Sequence, residues 1–305
     1  MKMEVFSPSK ESLCTCMPKY TLNTYLGRCG HRCIYCYSTK FPLFRSKARP
    51  NTLLAENVES LVKNKQRKLP VMLCSNTDPY QPLERKCEIT RKCLEVLLKY
   101  GFPPFIFTKS NLVTRDIDLL RKANAVVAIT VTTINHEKQR KIEPGAPAPN
   151  DRISALQQLS EKGIKTVARI DPVIPMLTDD ENELKSLVQA LAKTGTKHIT
   201  TATLKPVTGF FPRLKKIDPE LHAELRPLYM KGKLLVGYRY LPEDRRKPIV
   251  LTVRKLAREA GVTFGACREG FPELNTASCD GANYFQKAEQ SNNAKYGGGS
   301  EYEFS

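Results

Sequence analysis

Three cysteines fall close together in GRCGHRCIYCY (27–37): Cys29, Cys33 and Cys36, spaced CxxxCxxC. Thiolates at such spacing bind soft metals. A closed zinc site takes four ligands, usually as two CxxC-like pairs, so zinc fits here only if a fourth ligand such as His31 joins from nearby. Iron–sulfur clusters are also held by thiolates, and three of them on a four-iron cluster leave one iron open to bind another molecule. The remaining alternative is a turn of reduced cysteines. Tyr35 lies between the last two cysteines and Tyr37 follows them, which favours the iron–sulfur reading.

Such a loop has to be presented by regular elements. Short apolar runs at 24–27, 70–74, 104–109, 125–131, 165–171 and 198–204 read as strands. Helical patterns at 53–64, 87–100, 114–123, 149–162 and 179–193 lie between them. This alternation predicts an α/β fold with a parallel, barrel-like sheet. Asn150 and Asp151 read as the cap of the segment 152–162, with Gly163 closing it. In such sheets chemistry gathers at the carboxyl ends of the strands. The residues there are Cys29 to Cys36, Cys74 to Asp78, Lys109, Thr130 to Thr132 and Asp171, and they form the candidates for a single site. Asp78, Tyr80, Gln81 and Glu84 form a polar and aromatic group that either lines this site or makes a turn.

The 305 residues carry 49 Lys and Arg against 31 Asp and Glu, a formal charge of +18. A field of that sign concentrates polyanions, which makes nucleic acid the first partner to consider. The excess is spread over FRSKAR, KNKQRK, RLKK and EDRRKP. No apolar run approaches the roughly 20 residues of a membrane span, and no export signal is evident, so a cytoplasmic protein with no membrane partner is expected. Ten cysteines in that setting point to metal ligation or catalysis ahead of disulfides.

CGHRCIYCY resembles the radical S-adenosylmethionine (SAM) superfamily, whose members carry CxxxCxxC with an aromatic residue before the last cysteine. The resemblance implies a [4Fe–4S] cluster on Cys29, Cys33 and Cys36, with SAM chelating the open iron. One electron, from a donor such as flavodoxin or ferredoxin, then cleaves SAM to a 5′-deoxyadenosyl radical that abstracts hydrogen from substrate. Further segments resemble the spore photoproduct lyase-like (DNA repair photolyase-like) group: CSNTDPYQPLE (74–84), FTKSNLVTRDIDLL (107–120), AITVTT (128–133), IEPGAPAPNDRISAL (142–156) and ARIDPVIP (168–175). By that resemblance Lys109 contacts the SAM carboxylate, Thr130 contacts the cofactor, and Glu143 and Arg152 reach its ribose or carboxylate. Cys74 resembles a cysteine that returns a hydrogen atom to a product radical, with Tyr35 and Tyr37 as relays. The alternative for Cys74 is packing at the end of an apolar strand.

The expected architecture is a partial (β/α)6 TIM-like barrel with a C-terminal extension. Its expected divisions are a segment 1–22 containing CTC, a core 23–210, an extension 211–290 and a Gly/Ser-rich tail 291–305. Cys14 and Cys16 lie near one end of the chain and Cys267 and Cys279 near the other; together they could hold zinc or a second iron–sulfur cluster. Cys87 and Cys93 read as helix packing. The expected activity is lyase-like repair of a DNA lesion. The alternatives are a radical enzyme modifying tRNA or a peptide, and a nucleic-acid-binding protein with a non-catalytic cluster.

Overall fold

Val126–Thr130 is buried at every position, as a strand covered on both faces must be. It lies at the centre of an eight-stranded sheet in the computed structural model, which describes residues 3–6 and 12–285. The strands are β1 (Glu4–Phe6), β2 (Lys19–Leu22), β3 (Tyr25–Leu26), β4 (Arg49–Pro50), β5 (Val71–Leu73), β6 (Pro104–Thr108), β7 (Val126–Thr130), β8 (Lys165–Val173), β9 (His198–Thr203), β10 (Leu234–Leu235), β11 (Tyr238–Arg239) and β12 (Thr263–Ala266). The main sheet runs β1-β2-β5-β6-β7-β8-β9-β12, with β1 antiparallel to β2 and every other pairing parallel. Its two edge strands are not joined, so it is a partial barrel of the α/β class.

The helices are α1 (Thr52–Val62), α2 (Glu84–Cys87), α3 (Ile89–Lys99), α4 (Ile117–Leu120), α5 (His136–Ile142), α6 (Pro149–Glu161), α7 (Glu181–Lys193), α8 (Phe210–Ile217), α9 (Pro219–Met230) and α10 (Glu243–Glu259). In α3, Ile89, Cys93, Leu94 and Leu97 form a buried stripe at helical spacing. Strand residues facing the helices, such as Ile106, Val127, Ile129 and Ile170, share one core with that stripe. Ile106 is fully buried between its neighbours Leu73 and Val127. Ile106→Ala is expected to cost about 2–5 kcal/mol, read as a shifted urea midpoint.

Alternate residues point to the other, concave face. There Phe105, Val126, Ala128 and Val167 meet Ala282, Tyr284 and Phe285, so the segment after β12 fills part of the barrel's interior.

Two expectations need correction. The first barrel strand is Lys19–Leu22, which pairs with β5, whereas Tyr25–Leu26 leaves the sheet to pair with Arg49–Pro50. The Tyr25 hydroxyl anchors that departure by donating to buried Glu84. The cap of α6 is Ala148, with Pro149 in the first turn, because proline at that position needs no donor partner. β12 pairs with β9 and forms an edge of the main sheet. The expected tail 291–305 lies outside the described residues. No helix among the described residues is long and apolar enough to cross a membrane.

Candidate active site

The cysteine loop begins where β3 ends, at Gly27, whose φ of +79° favours glycine. A second loop, following α5, presses against it from the facing side. The Gly145 N–H donates to His31 O at 3.0 Å, and His31 Nδ1 lies 3.1 Å from Gly145 O. A Cβ on Gly145 would sit 2.3 Å from Gly30 O. The Gly30 N–H in turn donates to Gln81 Oε1 at 3.0 Å. Gly145→Ala is expected to push the two loops apart and reduce iron per chain at least about twofold after reconstitution, measured against an unchanged circular dichroism spectrum.

Asp78 braces the same loop from the carboxyl end of β5. It accepts from Thr108 Oγ1 at 2.6 Å and the Lys109 N–H at 2.7 Å, and lies 3.2 Å from His31 Nε2. Burial alone would raise its pKa, but His31 and these donors outweigh burial and hold the carboxyl below its ordinary range. Asp78, Gln81 and Glu84 therefore support the loop from behind. Glu84 accepts from Tyr25, from the Thr90 N–H at 2.9 Å and from Arg115 at 2.6 Å.

A second buried carboxylate stands on the opposite side. Glu143, at the end of α5, is fully buried. Its Oε2 lies 2.6 Å from Arg152 Nη1, its Oε1 accepts from Thr132 Oγ1 at 3.2 Å, and Lys109 Nζ stands 3.9 Å away. The Tyr35 hydroxyl also donates to it. Burial pushes Glu143 up, yet Arg152 and Lys109 overcome this and hold it below the usual carboxylate range. Arg152, itself fully buried, donates from Nε to Pro147 O at 2.8 Å and from Nη1 to Thr130 O at 3.1 Å. Its Nη2 is a buried donor with no hydrogen-bond partner among the described residues.

Cys33 faces this group. Burial pushes its thiol up to about 12, against the pull of Lys109. Binding a metal there must therefore displace a proton. Three half-buried thiols, a lysine at the carboxyl end of β6 and an unpartnered guanidinium N–H suit a thiolate-bound cluster carrying a ligand with a carboxylate.

The expected residues thus fall into two groups. Lys109, Thr130, Glu143, Arg152 and Tyr35 meet beside Cys33. Tyr37 and Cys74 lie elsewhere at the strand ends. The Tyr37 hydroxyl donates to Ser75 O, and the Tyr37 ring is 6.3 Å from that of Tyr238. Cys74 follows β5 with φ of +62°, its thiol 3.0 Å from Thr24 Oγ1. Burial raises its pKa, so it stays a thiol. Thr132, Arg169 and Arg213 did not emerge individually from the sequence. Arg213 donates to Ile34 O at 3.0 Å inside the cysteine loop, and Arg169 pairs with Asp171 below Tyr37. Strand alternation alone would have pointed Arg169 to the concave face with Val167.

The sequence is 36% identical over 166 residues to an uncharacterised protein of Methanocaldococcus jannaschii, covering 53% of this chain and 63% of that one. It is 25% identical over 255 residues to the radical SAM Nalpha-GlyT isomerase of Pseudomonas phage M6, covering 80% of this chain and 52% of that protein. The fold is like that of spore photoproduct lyase complexed with dinucleoside spore photoproduct, with a TM-score of 0.64 at 16% identity over 80% of this chain and 75% of that one. The family model of the radical SAM superfamily matches residues 24–191, which take in the cysteine loop, Lys109 and the Glu143–Arg152 pair, and the chain belongs to that superfamily.

Proposed function

We propose that this radical SAM enzyme cleaves SAM reductively and acts on nucleic acid, as a lyase-like enzyme reversing a lesion. When bound, the [4Fe–4S] cluster and SAM supply a 5′-deoxyadenosyl radical, given one electron by a flavodoxin- or ferredoxin-type donor. The chain's own residues bind and orient. Cys29, Cys33 and Cys36 hold the cluster, Lys109 and the free Nη2 of Arg152 offer cations to the cofactor carboxylate, and Glu143 fixes both cations and Tyr35. Thr130 contributes through its carbonyl, which holds Arg152.

The observation that carries the substrate class is the rim around the cysteine loop. Arg28 and Arg32 are exposed on the loop itself, and Lys40 lies just after it, 3.8 Å above the Tyr238 ring. Tyr37 and Phe41 are 41% and 37% exposed beside them. Cations interleaved with open aromatic faces suit a phosphate backbone with unstacked bases. The likeness in fold to a lyase that holds a dinucleoside lesion supports the same reading.

Cys74 is the proposed hydrogen-atom donor. Its burial keeps the S–H bond intact, and Tyr37 reaches the backbone of the adjacent Ser75. Tyr35, committed to Glu143, serves the cofactor wall. Cys74→Ala is expected to leave 5′-deoxyadenosine release within about threefold of the parent while product per SAM consumed falls at least about tenfold. Equal product yield would remove Cys74 from the mechanism.

The reading is tested by anaerobic reconstitution, reduction with dithionite and addition of SAM together with thymine-lesion DNA, tRNA or peptide. Lesion loss above the Cys29→Ala control supports it. SAM cleavage with an altered tRNA or peptide and unchanged DNA moves the substrate class. No cleavage above that control would leave a binding protein with a non-catalytic cluster.

A further inference from the structure

The partial barrel has an open seam. Its sheet ends at β1, beside β2, on one side and at β12 on the other. Four cysteines that the radical chemistry does not use converge across this gap. Cys14 and Cys16 come just before β2, Cys267 directly follows β12, and Cys279 begins the segment that enters the barrel's interior. The Cys16 and Cys279 sulfurs are 3.8 Å apart. Cys14 precedes Cys16 by two residues, and Cys267 stands near enough to Cys16 and Cys279 to couple electrostatically with both.

Backbone packing fixes the far side of this group. The Cys267 N–H donates to Thr201 O at 2.8 Å, and Thr200 Oγ1 donates to Cys279 O at 3.0 Å. A Cβ on Gly265 would stand 2.7 Å from Cys279 Cα, so the two strands of chain touch with no space for a side chain. Two cations stand near the thiols. Lys19 pairs with Asp280 in the interior, and Arg169, paired with Asp171, lies near Cys267.

The geometry points to a metal site formed by Cys14, Cys16, Cys267 and Cys279 that takes one tetrahedral zinc ion and closes the barrel's seam. Two sulfurs bound at about 2.3 Å to one tetrahedral ion stand about 3.8 Å apart. The Cys16–Cys279 pair has that separation. Among the described residues, the possible ligand atoms of Cys16, Cys279 and Asp280 all lie within 4.8 Å of one another; Cys14 and Cys267 stand outside that group, so the ion would draw their thiols in. Thiolates on different irons of a cluster stand farther apart than the Cys16–Cys279 pair. Asp280 is committed to Lys19, which leaves a soft all-sulfur ligand set suited to zinc. Four thiolates and a divalent ion carry two net negative charges, and the Lys19 ammonium and Arg169 guanidinium, each also paired with an aspartate, stand close enough to favour the thiolates. Binding would join segments from both chain ends, and so convert metal affinity into folding stability. The site is independent of the substrate reading above.

The test counts zinc, iron and acid-labile sulfide in the full-length wild type and in a Cys29→Ala/Cys33→Ala/Cys36→Ala variant. About one zinc per chain is expected in both, and about none once Cys16→Ser and Cys279→Ser are added. Cobalt(II) added to zinc-stripped triple variant should give the intense visible bands of a tetrahedral thiolate site. Zinc absent from both proteins, or iron with sulfide that disappears with Cys16 and Cys279 in place of zinc, would overturn the proposal. Should the variant lacking both Cys16 and Cys279 fail to fold, Cys14→Ser decides it. Zinc held at least about tenfold more weakly with a diminished cobalt–thiolate band supports the four-sulfur set, and unchanged affinity overturns it.

Discussion

Alanine at Cys33 should abolish SAM cleavage, with 5′-deoxyadenosine falling to the background of a protein-free reaction. In the proposed assignment Cys29, Cys33 and Cys36 are the three protein ligands of the cluster, and removing one leaves two thiolates for four irons. Iron at this site is expected to drop from about four per chain to about none. Stability should change little by comparison, since the Cys33 side chain is only half-buried and its loop is held by the Gly145 backbone and the Gln81 side chain. Cys87→Ser, at the end of α2 and partly buried against the core, serves as the control and should retain both iron and cleavage. Iron that persists in Cys33→Ala at wild-type level would place the cluster elsewhere.

Arg152→Met should be the most damaging single change to the fold near the site. It strands Glu143 in a fully buried position with only Lys109, 3.9 Å away, as a cationic neighbour. Breaking a buried pair on one side costs about 3–5 kcal/mol. The sign of its pH dependence is informative. In the parent, Glu143 has a depressed pKa, so its contribution is present above the unfolded value of about 4.5 and is lost as pH falls through the lower folded value. Without Arg152 the burial that opposes ionisation dominates, and the folded pKa rises above the unfolded one. Stability then falls as pH rises through that range, so the deficit of Arg152→Met should narrow as pH is lowered from about 8 to about 5. Urea unfolding of the iron-free chain at both pH values measures this, and a constant deficit would show that Glu143 takes up no proton.

Elements with a strong internal period were legible in the sequence. The run AVVAITV needs covering on both faces, which only a central parallel strand provides, and β7 is that strand. Tyr25–Leu26 is a strand, as its apolar residues suggest, but its place outside the main sheet was not legible, because that is set by distant partners, Arg49–Pro50 and Glu84. The cysteine loop was legible because ligand chemistry demands a fixed spacing. Its supports were harder to see. Gly145 matters through one close approach to Gly30, and Arg152 through a guanidinium that spans Thr130, Pro147 and Glu143, contacts that arise only when separate loops fold together.

Lys19 and Asp280 meet in the interior across 261 residues of sequence. Closing so long a loop is entropically expensive and belongs late in folding. A chain made from its N-terminus contains Lys19 long before its partner, 261 residues later, is added. The segment that contains Cys29, Lys109 and Arg152 is by then fully made. Until Asp280 docks, the concave face with Phe105 and Val167 lacks the cover that Ala282 and Phe285 give it, which makes the period before docking the interval of greatest exposure to aggregation.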